Sequence, residues 1–201
     1  MKRLVLVLIF VSILASLFAF DGKREGLLFG FGLGRARVIY KTEYESYDGS
    51  FESDTKTTGG FGADFKLGYG LSNKIEVYLS NQSVFYRRDR TFSEESGEIV
   101  INLISSLGLS YFLSPKLDSQ EWSPSPFLSA GIGRLDWIDN GRYSDNTQGN
   151  LGFFLGLGYE FVKHLRVSLN YFPNNRKTNQ FGETYSKDSH SFLFSLSALA
   201  F

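Results

Sequence analysis

The sequence predicts an all-β fold, an eight-stranded antiparallel up-and-down transmembrane β-barrel, on three observations. The first is strict alternation. Phe61, Ala63, Phe65, Leu67, Tyr69 and Leu71 share one face, and Gly62, Asp64, Lys66, Gly68 and Gly70 share the other. Successive side chains of a strand point to opposite sides, so a period of two marks a β-strand. The pattern returns at Leu151, Phe153, Leu155, Leu157, Tyr159 and Phe161, set against Gly152, Phe154, Gly156, Gly158 and Glu160. The second observation is that about eight such segments occur without a helical pattern to cover them, so hydrocarbon is the partner their apolar faces require. The third is that long polar connections mostly alternate with tight turns, as in barrels that cross a bilayer.

The elements follow in chain order. Lys2 and Arg3 precede an apolar run over residues 4–20, broken only by Ser12 and Ser16, with the small Ala19 near its end. This fits a cleavable signal peptide over residues 1–19, with the barrel domain over residues 20–201. The run is shorter than the ~20 residues that a spanning helix needs. The first strand starts near Gly26, with Leu27, Phe29, Phe31 and Leu33 outward. Continuing its phase would aim Arg35 and Arg37 at lipid. A bulge at Gly34 is therefore expected to reverse the faces, turning Ala36, Val38 and Tyr40 outward and both arginines inward.

A polar loop over residues 44–57 leads to a strand at 58–71, and Ser72 and Asn73 turn tightly into a strand at 74–87. That strand carries Ile75, Val77 and Leu79 outward and Glu76, Tyr78 and Ser80 inward. A charged loop at 88–97 precedes a strand at 98–113, with Ile99, Ile101, Leu103, Leu107, Leu109 and Tyr111 on one face. A connection at 114–125 holds Pro115 and Pro124 and leads to a strand at 126–138, whose alternation leaves Arg134 and Asp136 unassigned. Then come a polar loop at 139–149, a strand at 150–162, a turn at 162–164, a strand beginning at Leu165, a loop at 174–189 and a last strand at 190–201. Aromatic side chains favour the membrane boundary. Tyr69, Tyr111, Tyr159, Phe161 and Phe201 are expected at one boundary, and Tyr40, Phe61, Phe85, Trp137, Tyr171 and Phe192 at the other.

Composition agrees. A chain of 201 residues is one domain by length. Its 20 Phe, 11 Tyr and 21 Gly suit a barrel with aromatic residues outside and small ones inside. The absence of cysteine excludes a disulfide framework, a thiol nucleophile and a lipid-modified cysteine anchor. Basic and acidic residues number 21 each and are interspersed, which gives nucleic acid no basic patch to bind.

A signal peptide, eight alternating strands and a final strand ending in Phe201 resemble the small outer-membrane barrel family of Gram-negative bacteria, whose familiar members are the OmpA transmembrane domain and OmpX. The resemblance spans residues 26–201. It implies an integral barrel of the bacterial outer membrane, in contact with its lipid and lipopolysaccharide. It also implies that the barrel-assembly machinery reads the terminal strand, with Phe201 as the assembly signal. Here Phe201 shares a face with Ser195 and Ser197, while Phe192, Phe194, Leu196 and Ala198 take the other, a departure that leaves the facing of this strand open.

Chemistry concentrates in the inward charges. Arg35, Arg37, Asp64, Lys66, Glu76, Glu160 and Arg166 are expected in the lumen as a structural charge network. A basic residue facing lipid at mid-depth costs ~2–4 kcal/mol, and charges in a narrow lumen must pair. An eight-stranded barrel has an interior just wide enough for side chains to fill, so no open pore is expected. The glycines at 30, 32 and 34 are spaced by two with no helix following, which is strand alternation and not a phosphate loop. His190 lies beside Ser189 and Ser191, but adjacent strand residues face opposite sides, which disfavours a serine–histidine pair. His164 reads as a turn residue. No catalytic residue, cofactor or metal is expected. The polar loops are where an extracellular partner would bind. The expected role is non-enzymatic: membrane integrity, and surface presentation or adhesion. A small-solute channel and a lipid A-modifying enzyme are the alternatives, and a soluble sandwich or lipocalin-like carrier is the rival architecture.

Overall fold

The computed structural model describes residues 24–45, 51–88, 98–113, 123–139, 142–143, 150–162, 164–180 and 183–200. The expected signal peptide and Phe201 lie outside the described residues. Among the described residues there are nine strands: β1 (Gly26–Glu45), β2 (Phe51–Ser72), β3 (Ile75–Arg88), β4 (Glu98–Phe112), β5 (Ser125–Asp139), β6 (Arg142–Tyr143), β7 (Asn150–Val162), β8 (Leu165–Gln180) and β9 (Glu183–Ala200). The two-residue β6 pairs only with the end of β5. The other eight run antiparallel to their neighbours, and β9 returns to β1 while β4 meets β5, so the sheet closes into a barrel. Closure removes the unpaired sheet edges that a bilayer would not tolerate.

The barrel is apolar outside and polar in much of its inside. Phe65, Leu67, Leu155 and Leu157 are 39, 44, 52 and 57% exposed on the outer face. Their inward neighbours Asp64, Lys66 and Glu160 are buried. Tyr69, Tyr111, Tyr159 and Phe161 are exposed at the end with the tight turns, and Phe61 and Phe85 are exposed toward the other end. This contiguous apolar belt far exceeds what a soluble surface carries and matches the hydrocarbon-facing band of a membrane barrel.

Two tight turns close one end. Between β2 and β3 the Lys74 amide donates to the Ser72 hydroxyl (3.2 Å). Between β7 and β8 His164 adopts a left-handed backbone (φ 70°), and its carbonyl accepts the Leu199 amide (2.8 Å). The ladder register shifts at both turns, between Gly70 and Ser72 and between Glu160 and Val162.

Three expectations are corrected. First, β1 has no bulge at Gly34. Its pairing with β2 and β9 runs without a shift, so Arg35 and Arg37 face outward and Ala36, Val38 and Tyr40 point into the barrel, buried. The cost of an outward arginine falls to about 0–1 kcal/mol near the interface, and both arginines lie beyond the apolar run that ends at Leu33. Secondly, Trp137 also points inward and is buried. Arg134 and Asp136 lie on the opposite face of β5, joined by a 2.9 Å ion pair. Thirdly, residues expected in the loops at 44–57 and 174–189 are largely strand. β1 and β2 pair out to Glu45↔Phe51, and β8 and β9 pair out to Gln180↔Glu183. Above the bilayer both faces of a strand meet water, so a ladder there can be polar throughout.

Gly34 serves closure. A Cβ at this position would lie 1.8 Å from the Phe194 carbonyl oxygen on β9, a backbone atom that cannot step aside. Gly34→Val is expected to weaken the β1–β9 seam by about 1–3 kcal/mol, the usual cost of overpacking. A lower urea midpoint in vesicles, with Gly59→Val unchanged as control, would show it; Gly59 has open space at its Cβ.

Candidate functional site

The lumen is organised in levels. At the tight-turn end Arg166, on β8, is fully buried. Its Nη1 and Nη2 donate to the two carboxylate oxygens of Glu76 on β3 (2.7 and 2.6 Å), and its Nε donates to Glu160 on β7 (2.7 Å). A forked, charge-assisted pair of this kind is among the stronger polar contacts a protein makes. The Arg166 guanidinium also lies over the rings of Phe112 and Phe127, at 4.8 and 5.4 Å from their centroids. Arg24, just before β1, approaches Glu160 from the other side (3.3 Å) and lies 4.3 Å over the Phe112 ring. It also donates to the Ser123 carbonyl (2.7 Å) and the Asn73 carbonyl (3.3 Å). Two arginines and two glutamates thus neutralise one another, tying β3, β7 and β8 to the segment entering β1.

The middle level is a polar band. Lys66 faces Asp64 at 3.2 Å and the Tyr78 ring at 5.1 Å. Hydroxyls pair across strands, Ser80 with Ser106 (2.8 Å), Ser168 with Ser195 (2.9 Å) and Tyr78 with Ser110 (3.0 Å). Farther out the lumen turns apolar. Val38, Tyr40, Val84, Tyr86, Trp137 and Phe172 belong to one buried cluster, with Tyr40 and Tyr86 at 6.0 Å and Tyr86 and Trp137 at 6.4 Å between ring centroids. Beside that cluster the Asn102 amide donates to Ser189 (2.9 Å) and Ser191 (3.1 Å). Farther along β1, Glu43 accepts a hydrogen bond from Lys41, which holds the Lys41 ammonium above its usual range.

Among the described residues the wall is weak between β7 and β8. β7 and β8 pair only as far as Leu155↔Tyr171. Beyond it, a cavity of about 410 Å³ is lined by Leu135, Asn150, Leu151, Gly152, Phe153, Pro173 and Asn175. Pro173 has no amide hydrogen to give a ladder. At the outer end of this gap the Asn150 side chain donates to the Asn175 carbonyl (2.5 Å).

Solved structures share this architecture. The outer membrane protein OprG from Pseudomonas aeruginosa is similar at a TM-score of 0.52 and 15% identity, over 89% of this chain and 97% of that one. AlkL, determined by solid-state NMR in DMPC lipid bilayers, is similar at a TM-score of 0.50 and 16% identity, over 90% of this chain and 92% of that one. The chain has the fold of the small outer-membrane β-barrels. No protein-family model matches it, and no curated protein does.

Within this outer-membrane barrel fold, the seven sequence-derived lumen charges divide. Glu76, Glu160 and Arg166 meet at the tight-turn end, and Asp64 and Lys66 form a separate pair in the middle. Arg35 and Arg37 are on the outer face. Arg24 was not anticipated, because it precedes the first strand and no alternation marks it. The seam was not anticipated either, although Pro173 inside a strand was a legible sign. His190 points outward, stacked on Tyr171 and hydrogen-bonded to its hydroxyl (2.8 Å), whereas Ser189 and Ser191 are buried on the opposite face of β9.

Proposed function

We propose that this chain is a non-enzymatic integral protein of the bacterial outer membrane, with a sealed lumen, that supports membrane integrity and presents its two extended hairpins at the cell surface. The observation that carries the reading is the plug of Arg24, Glu160, Arg166 and Glu76, packed with Phe112 and Phe127 across the tight-turn end. Its charges are mutually satisfied, so they offer a passing solute no unpaired group. The buried apolar cluster that includes Trp137 supports the same reading for the other half. The expected partners are outer-membrane lipid and lipopolysaccharide, with the barrel-assembly machinery during insertion and an extracellular partner at the hairpins.

The β7–β8 seam favours a second reading, in which small solutes pass sideways through the wall between lumen and bilayer. One experiment separates the two. Folded protein inserted in planar bilayers is expected to give no conductance steps, and proteoliposomes are expected to take up polar and apolar dyes no faster than empty ones. Steady ohmic steps would overturn the sealed-lumen reading. Dye uptake abolished by oxidising an N150C/N175C pair, in a chain with no native cysteine, would establish the sideways route instead.

A further inference from the structure

The two arginines that the structure turns outward have a third neighbour. Arg87 lies on the outer face of β3 and is exposed, as are Arg35 and Arg37 on β1. Arg37 stands opposite Gly59 of β2. Gly60 stands opposite Tyr86, so Gly59 is also flanked by Arg87, whose carbonyl accepts the neighbouring Thr58 hydroxyl (3.3 Å). Arg37 and Arg87 are thus two strand spacings apart, about 10 Å, with a glycine between them. A Cβ on Gly59 would meet nothing within 4 Å, so this gap is an open shelf.

Charge and depth say what the shelf fits. Among the described residues none of the three arginines makes an ion pair. The outer-face carboxylates nearest along β1 and β9 lie with Lys41: Glu43 pairs with it, and Asp188 stands opposite it on the ladder. Arg35 is set between Phe61 on β2 and Phe194 on β9, both exposed. Leu33, Phe31, Phe29 and Leu27 continue the apolar face beneath it. From Leu27 to Arg35 the strand climbs about 20 Å along the barrel axis at a tilt of roughly 40°. That climb puts the guanidinium groups at the outer boundary of the hydrocarbon, with the Phe61 and Phe194 rings flanking Arg35 and the apolar face of β1 beneath. A ligand that satisfies both edges carries phosphate above and hydrocarbon below.

We infer that Arg35, Arg37 and Arg87 form a phosphate-binding shelf for the headgroup of an outer-leaflet lipid, with its acyl chains on Phe61 and Phe194. Guanidinium forks bind phosphate oxygens in pairs, which ammonium groups do not. The inference rests on the membrane-embedded reading given above, and its test keeps the two apart.

The full barrel is refolded into phosphatidylcholine vesicles, and heat-dependent gel mobility first scores folding and insertion; failure at this step would refute the membrane reading itself. Binding of bisphosphorylated lipid A, its dephosphorylated form and inorganic phosphate is then read by native mass spectrometry. The wild type should retain the phosphorylated lipid, and R35Q/R37Q/R87Q should bind it about tenfold or more weakly. Gly59→Trp, which fills the shelf without touching the lumen, should weaken it similarly, and this variant stands in if the triple variant does not fold. Equal retention of the dephosphorylated lipid, unchanged binding by folded variants, or complete displacement by millimolar inorganic phosphate would each overturn the inference.

Discussion

Arg166→Ala should cost the barrel about 3–5 kcal/mol, the penalty for breaking a buried ion network by removing one partner. The loss is large because Arg166 serves two carboxylates at once. Its removal takes from Glu76 both of its forked hydrogen bonds and from Glu160 its 2.7 Å contact, while Arg24 stays at 3.3 Å from Glu160. It also strips the cation from the faces of Phe112 and Phe127. Urea titration in vesicles, followed by tryptophan fluorescence and cold-detergent gel mobility, reads the cost directly. The companion variant R166M/E76Q removes charge from both sides and should recover a substantial part of the stability, because the unpaired carboxylate is what destabilises. If Arg166→Ala unfolded at the wild-type urea midpoint, Arg166 would not be holding the network together.

Phe65→Arg should block or strongly reduce assembly. Phe65 stands on the outer face of β2 opposite Phe31 of β1 and packs edge-on against Phe29 at 5.3 Å. An arginine at mid-depth on the lipid face costs ~2–4 kcal/mol, and the lost aromatic contact adds about 0.5–1.5 kcal/mol. The next residue tests the opposite face. Lys66→Ala places no charge in lipid but leaves Asp64 buried without its partner, so it should assemble and then unfold more readily. Adding Asp64→Asn should restore much of that stability. Insertion yield separates the two positions: Phe65→Arg fails at membrane entry, whereas Lys66→Ala fails in the unfolding titration. Equal insertion yields would mean that lipid does not contact this face of β2.

Alternation made most of the barrel legible. Where the outer face meets hydrocarbon, a residue on the wrong side is expensive, so the pattern in residues 61–71 and 151–161 is clean and the facing follows directly. Legibility faded where that solvent constraint fades. Arg35 and Arg37 face outward against the expectation because the penalty for a lipid-facing cation no longer holds at their height. The ladder beyond Thr42 and below residue 190 is polar on both sides, so composition alone resembles a loop; the run of Thr55, Thr57 and Thr58 was the β-branched sign of strand. Within the lumen the alternation identifies Glu76, Glu160 and Arg166 as inward; Glu160 stands opposite Arg166 on the β7–β8 ladder, whereas the Arg166–Glu76 contact crosses the barrel, where no strand pairing announces it. Arg24 belongs to no strand, and its 3.3 Å contact with Glu160 reveals its part in the plug.

The uneven height of the staves has a mechanical result. Among the described residues, β2, β1, β9 and β8 stay paired with one another well beyond the last ladder pairs of β2 with β3 and of β8 with β7. The described strands therefore rise into a four-stranded fin on one side of the cylinder. A closed wall offers nothing for a foreign chain to extend, but among the described residues the outer stretches of β2 and of β8 carry no ladder partner on their far sides. Lys56 and Asp54, paired across one residue on β2, put charge on the first of these stretches, a common safeguard against unwanted strand addition.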